Sequence, residues 1–104
     1  MKAESLKGHL DVLVLAALRE QPLHGYAVIE ELRRRSKGAF DLAEGTVYPV
    51  LHRLEADGLL KSSWTTVSGR RRRVYALSSK GTKALGARAS EWRQFAHAVE
   101  AVLA

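Results

Sequence analysis

Apolar residues at Leu6, Leu10, Leu13, Val14, Ala17 and Leu18 recur every three or four positions. That spacing predicts an amphipathic helix with a wide buried face from Leu6 to about Arg19, ended by Pro22. Tyr26, Val28, Ile29 and Leu32 form a second stripe, predicting a helix from His24 to Lys37 with Gly38 as its C′ residue. Arg33, Arg34, Arg35 and Lys37 crowd its end, where the helix dipole favours cations, and read as a solvated, dipole-matched terminus. A third helix is expected in DLAEGTVYPVLHRLEADG. Asp41 and Glu44 have capping-box spacing, although the box prefers Ser or Thr at its first position, and Gly58 is suited to end the helix.

The period then changes from about 3.6 to two. Leu60, Ser62 and Trp64 alternate with Lys61, Ser63 and Thr65, and Arg73, Tyr75 and Leu77 alternate with Arg72, Val74 and Ala76. Two such runs around Ser68-Gly69 predict a β-hairpin. From Ser79 to Ala104 the pattern is helical again, with Ser78 or Ser79 as the cap. Three helices, a hairpin and a long helix make a mainly α (α+β) chain that matches a winged helix-turn-helix. Residues 1–78 would form the DNA-binding unit and 79–104 a C-terminal dimerisation helix of the same compact domain.

Composition narrows the function. The chain has 104 residues, 46% of them hydrophobic, which suits one globular domain rather than disorder. Seventeen Lys and Arg against eleven Asp and Glu leave a net charge of +6, which favours a polyanionic partner. The absence of cysteine removes disulfides, Cys-based zinc sites and thiol catalysis. The N-terminal MKAESLKGHL is interrupted by Glu4, Lys7 and His9, and the longest apolar run, Val12 to Leu18, is too short to span a bilayer. A soluble, cytoplasmic protein without membrane attachment is expected. No Gly-rich phosphate loop appears. His9, His24, His52 and His97 form no pair at metal-ligand spacing. Adjacent Glu30 and Glu31 point apart on a helix. Neither catalysis nor a metal or cofactor is expected.

On the third helix, Val47, Val50, Leu51 and Leu54 share one side. The opposite side carries Gly45, Tyr48, Pro49, His52 and Arg53, with Thr46 at its edge and no bulky aliphatic. Such a face suits a helix laid in the major groove. Arg53 is placed to fork onto a guanine or clamp a phosphate, and Tyr48 and Thr46 to meet phosphates or base edges. His52 reads equally as a DNA contact or an idle surface histidine. Pro49 either interrupts the helix interior, removing a hydrogen bond to the Gly45 carbonyl, or lies in a first turn that tolerates it.

SGRRRRVYAL raises a separate question, since four adjacent guanidiniums repel one another. On a strand, Arg70, Arg71, Arg72 and Arg73 splay to alternate faces. Beside Gly69 at a hairpin tip they can lie along a phosphate backbone or enter a narrow minor groove. In the last helix, Trp92, Phe95, Ala96, Val99, Val102 and Leu103 are spaced by three and four. That short coiled-coil-like stripe predicts cover by a second subunit together with the first helix, the competing reading being a helix folded back on its own chain.

These stretches resemble the PadR family of bacterial transcriptional regulators. LKGHLDVLVLAAL, PLHGYAVIEEL, EGTVYPVLHRLEADGLL, the Trp64 strand, GRRRRVYALSSKG and the Trp92 helix carry the resemblance over nearly the whole chain. Ending one helix after the wing is similar to the family's short subfamily. The resemblance implies a homodimeric repressor, with the first and last helices in the interface. Leu6, Leu10 and Leu13 would face Trp92, Phe95, Ala96, Val99, Val102 and Leu103 there. It also implies that Thr46, Tyr48, Pro49 and Arg53, with the Gly69–Arg73 wing, face double-stranded DNA. A small planar or phenolic effector is implied for the family, and Trp92 lies where an aromatic contact to it would fall or serves as plain interface core. The competing readings are a sequence-nonspecific architectural DNA protein and a winged helix used for protein contacts.

Overall fold

The computed structural model describes residues 8–104; Leu6 lies outside the described residues. The elements run α1 (Leu10–Ala17), β1 (Leu23–His24), α2 (Gly25–Arg35), α3 (Glu44–Ala56), β2 (Leu60–Val67), β3 (Arg70–Leu77) and α4 (Ser79–Leu103). Among the described residues, four helices and one antiparallel sheet of order β1-β3-β2 make the expected winged helix-turn-helix.

Several boundaries differ from expectation, each for a local reason. Helix α1 stops at Ala17, before Pro22 can act, and the Leu18 and Arg19 amides turn back onto the Leu15 and Ala16 carbonyls. Helix α2 ends at Arg35 because Lys37 as well as Gly38 is left-handed, at φ 53° and 87°. The Gly38 amide donates to the Arg33 carbonyl (2.8 Å) and the Lys37 amide to that of Arg34 (3.2 Å), a Schellman closure with Lys37, not Gly38, at C′. The arginines there are not simply solvated. Arg34 and Arg35 pair with Glu31, and Arg35 also donates to the Ala16 carbonyl on α1 (3.1 Å). Arg33 takes Asp41 (3.2 Å), so the expected capping box at Asp41 does not form. Helix α3 begins after Ala43, whose side chain caps nothing. Gly58, at φ 79°, does end α3: its amide donates to the Glu55 carbonyl and that of Leu59 to Leu54.

Strand β1 was not expected from periodicity. Its two residues pair with Tyr75 and Val74 of β3. His24 then caps α2, its Nδ1 accepting from the Ala27 amide at 3.2 Å. The hairpin forms as its alternation predicts, with Val67 opposite Arg70 across a two-residue turn. Ser68 and Gly69 both have positive φ, 51° and 76°, the geometry of a type I′ turn.

One core joins all the elements. Val14, Leu15, Val28, Val47, Leu51 and Leu54 are fully buried, and Leu59, Leu60, Tyr75 and Leu85 extend the core under the sheet and the base of α4. Each such side chain contributes roughly 1.5–3 kcal/mol of burial free energy. Two glycines permit close approach. A Cβ at Gly25 would lie 2.3 Å from Tyr48 Cε1, and one at Gly81 would lie 1.9 Å from the Leu59 carbonyl oxygen. Of the two candidate caps for α4, Ser78 serves: its hydroxyl accepts from the Gly81 amide (3.0 Å) and donates to the Gly58 carbonyl (2.6 Å). Beyond Leu85, the 25-residue α4 carries its apolar stripe into solvent. Among the described residues, no helix is long and apolar enough to cross a membrane.

Candidate nucleic-acid interface

The outer stripe of α3 is Gly45, Pro49, His52 and Ala56, all exposed. Pro49 is the sixth residue of the helix, so it stands in the interior and not in the first turn. The carbonyl that loses its partner belongs to Gly45, at an exposed position with open space beside it. Water can therefore replace the missing amide, which reduces the usual proline penalty of about 3 kcal/mol. Thr46 and Tyr48 are half-buried on opposite flanks. Tyr48 leans on Gly25 at the start of α2. Burial first, then the nearby Glu44 carboxylate, pushes its phenol above the usual range, so it remains a protonated hydroxyl near neutrality. Between α3 and the wing, Tyr48 and His52 face Tyr26, Arg72 and Arg73 across a cleft of about 460 Å³.

Arg53 does not stand free on this face. It lies on the flank toward α1, where its guanidinium forks onto Asp11: Nη1 to Oδ2 at 2.9 Å and Nη2 to Oδ1 at 2.6 Å. Arg88 of α4 donates to the same Oδ2 at 2.9 Å. Arg53 hydrogen bonding foremost, with Arg88 adding, holds the Asp11 carboxyl below its ordinary range although partial burial opposes them. The guanidinium thus has an intramolecular partner, while its side chain stays 52% exposed. Helical periodicity places Arg53 opposite the core but cannot reveal a partner 42 residues away.

The wing resolves the arginine run by parity. Thr66, Trp64, Ser62 and Leu60 share a face with Arg71, Arg73, Tyr75 and Leu77, while Arg70 and Arg72 face the other way with Val67 and Thr65. The first face packs on the core at its base, where Leu60 and Tyr75 are buried. Toward the tip it carries Trp64, 55% exposed, with the Arg71 guanidinium 4.7 Å and that of Arg73 5.5 Å from the ring centroid. Arg73 lies midway along the wing, opposite Trp64, and is tied down toward α3. Its Nε donates to Ser62 Oγ (2.9 Å) and its Nη2 reaches Glu55 of α3 (3.2 Å), while Ser62 donates to Glu55. Those hydrogen bonds, the Ser62 hydroxyl's first, hold the Glu55 carboxyl below its ordinary range. Among the described residues, no carboxylate pairs with Arg70, Arg71 or Arg72. Trp64, Glu55, Asp11 and Arg88 were absent from the expected site. Only Trp64 had a readable signal: once Ser68-Gly69 is the turn, counting outward places it opposite Arg73.

On the far side, α1 and α4 form an apolar face. Leu13, Ala16, Phe40, Leu85 and Trp92 line a groove of about 480 Å³. His9 meets Trp92 edge-on at 5.2 Å, and Phe95 lies 6.1 Å beyond. Ala96 and Val99 are half-buried, whereas Val102 and Leu103 are largely exposed. Among the described residues, no group of three or more His, Cys, Asp or Glu could hold a metal ion.

This architecture has relatives. The Transcriptional regulator PadR-like family matches residues 14–87. Transcriptional regulator Rv3488 of Mycobacterium tuberculosis is 43% identical over 72 residues, covering 69% of this chain and 64% of its own. A PadR family transcriptional regulator from Eggerthella lenta is 32% identical with a TM-score of 0.83, over 96% of this chain and 86% of that one. Bacillus subtilis PadR, solved in complex with operator DNA, shares the fold at a TM-score of 0.68 and 22% identity, over 75% of this chain and 45% of that one. Match and architecture agree that this winged-helix chain belongs to the PadR-like family of transcriptional regulators, a family of regulators and not of enzymes.

Proposed function

We propose that the chain is a sequence-specific DNA-binding repressor that works as a homodimer on a palindromic operator. One observation carries the reading. The exposed stripe of α3 has no bulky aliphatic, and it stands beside a wing whose Arg70, Arg71 and Arg72 have no carboxylate partner among the described residues. Thr46, Tyr48, Pro49 and His52 meet the major groove, with the half-exposed Arg53 at its edge. Gly69 and the wing arginines follow the neighbouring phosphates, and Arg73, tied to Glu55 of α3, sets the angle of that approach. Phosphate oxygens then supply the counter-charge that the free arginines lack. Bacillus subtilis PadR, which shares the fold, was solved in complex with operator DNA, and that supports DNA as the partner.

Dimerisation uses the face shared by α1 and α4. Leu10, Leu13, Trp92, Phe95, Ala96, Val99, Val102 and Leu103 are the contact residues, with residues 79–104 acting as the dimerisation helix. Phe95 at 58% and Val102 at 84% exposure are apolar surfaces that a second subunit would remove from water. A small planar effector would stack on Trp92, where His9 and Phe95 already make an aromatic wall. The site of action is the bacterial nucleoid, in the cytoplasm.

Footprinting on the DNA upstream of the protein's own coding region tests the reading. Two protected half-sites about one helical turn apart are expected, surviving competition by random duplex. Uniform protection that random duplex abolishes would instead indicate an architectural binder.

A further inference from the structure

Helix α3 is gripped on both flanks. On one, Glu55 ties it through Ser62 and Arg73 to the wing. On the other, Arg53 enters the Asp11 fork, and Asp11 also holds Arg88. Three helices therefore meet at one carboxylate: α1 supplies Asp11, α3 supplies Arg53 and α4 supplies Arg88. We infer that Asp11 is a positioning residue that fixes the reading helix against the C-terminal helix, and so sets the half-site spacing a dimer can read. The inference rests on the dimeric operator-binding reading above.

Geometry favours this role over a purely stabilising one. Arg53 and Arg88 are partly exposed, at 52% and 39% of their side chains, and exposed ion pairs contribute little to stability. A bidentate fork, however, fixes orientation as well as distance. The Asp11 side chain is only 24% exposed, which limits its screening by salt. In a dimer joined through α4, the separation and tilt of the two reading helices depend on how each α3 sits relative to its own α4. Adding or removing one base pair between half-sites moves them by about 3.4 Å and turns them by about 34°. A loose joint would absorb that change; a forked one would not.

The test uses the footprinted operator and two versions of it, with one base pair inserted or deleted at the centre of symmetry. Wild type, Asp11→Asn and Arg88→Gln are titrated as full chains against all three, and each is melted to show that it is folded. Wild type is expected to bind the altered duplexes roughly tenfold or more weakly. In both variants the preference is expected to fall to within about threefold, with melting midpoints within a few degrees of wild type. Arg88→Gln is decisive, because it leaves the Asp11–Arg53 fork in place and lies on α4. If Asp11→Asn does not fold, Arg88→Gln alone decides. A variant that keeps the full spacing preference overturns the inference. So does a wild type that binds all three duplexes equally, although DNA binding then stands. A wild type that binds none removes the operator reading, and this inference with it.

Discussion

An indole as exposed as Trp64 would ordinarily be wet on both faces, yet two guanidiniums lie over its ring. An exposed cation–π contact is worth about 0.5–1 kcal/mol, enough to restrict where Arg71 points without immobilising it. Trp64→Ala should weaken operator binding by about two- to fivefold, and Trp64→Phe should recover most of the loss, read by titration at one fixed salt concentration. At the turn, Ser68 occupies left-handed backbone that an L-residue adopts at a cost and that Asn tolerates better. Ser68→Asn should stabilise the fold by about a few tenths of a kcal/mol, read as a slightly raised melting midpoint. Gly25→Ala acts in the opposite direction. Its new methyl must displace the Tyr48 ring, a cost of about 1–3 kcal/mol visible as a lower denaturant midpoint with an unchanged slope.

Between elements, the same charges that position the helices make their attachment pH-dependent. The folded carboxyl of Asp11 lies below its unfolded value, chiefly through Arg53. Its contribution is therefore complete above the ordinary carboxylate range and is lost as pH falls through the lowered folded value. Melting wild type and Asp11→Asn in steps from neutral to acidic pH should show a constant gap near neutrality that closes in acid. This level also marks where sequence reading reaches its limit. Apolar spacing located α1, α2, α3 and α4, and alternation located the hairpin, because each pattern records burial along a local segment. Strand β1 has too few residues to show a period and exists only because Tyr75 and Val74 lie beside it. Of the two starts open to α3, a capping box at Asp41 or a beginning near Gly45, the structure takes the second, since Asp41 answers to Arg33 rather than to a helix amide. Arg53 is exposed as its spacing predicts, but nothing near it in sequence announces Asp11.

The molecule measures 55 × 28 × 21 Å, and α4, at about 37 Å, accounts for much of the long axis. Its far end, with Val102 at 84% and Leu103 at 73% exposure, covers no core of its own. Charging that end with Val102→Glu and Leu103→Glu together should shift the sedimentation equilibrium toward monomer. Operator affinity should drop by at least about tenfold as binding at two half-sites becomes binding at one, while the melting of the core changes little. The wing imposes a different discipline. Its turn has only two residues and its strands eight each, so the hairpin has no slack to absorb a change of length. A single residue added between Arg73 and Val74 would turn over every side chain from there to the turn, setting the added residue opposite Trp64 and Arg72 in the place of Arg71. A second added residue would restore the original order at a longer reach. The arm thus obeys an odd–even rule, and length variation that respects it would arrive in pairs.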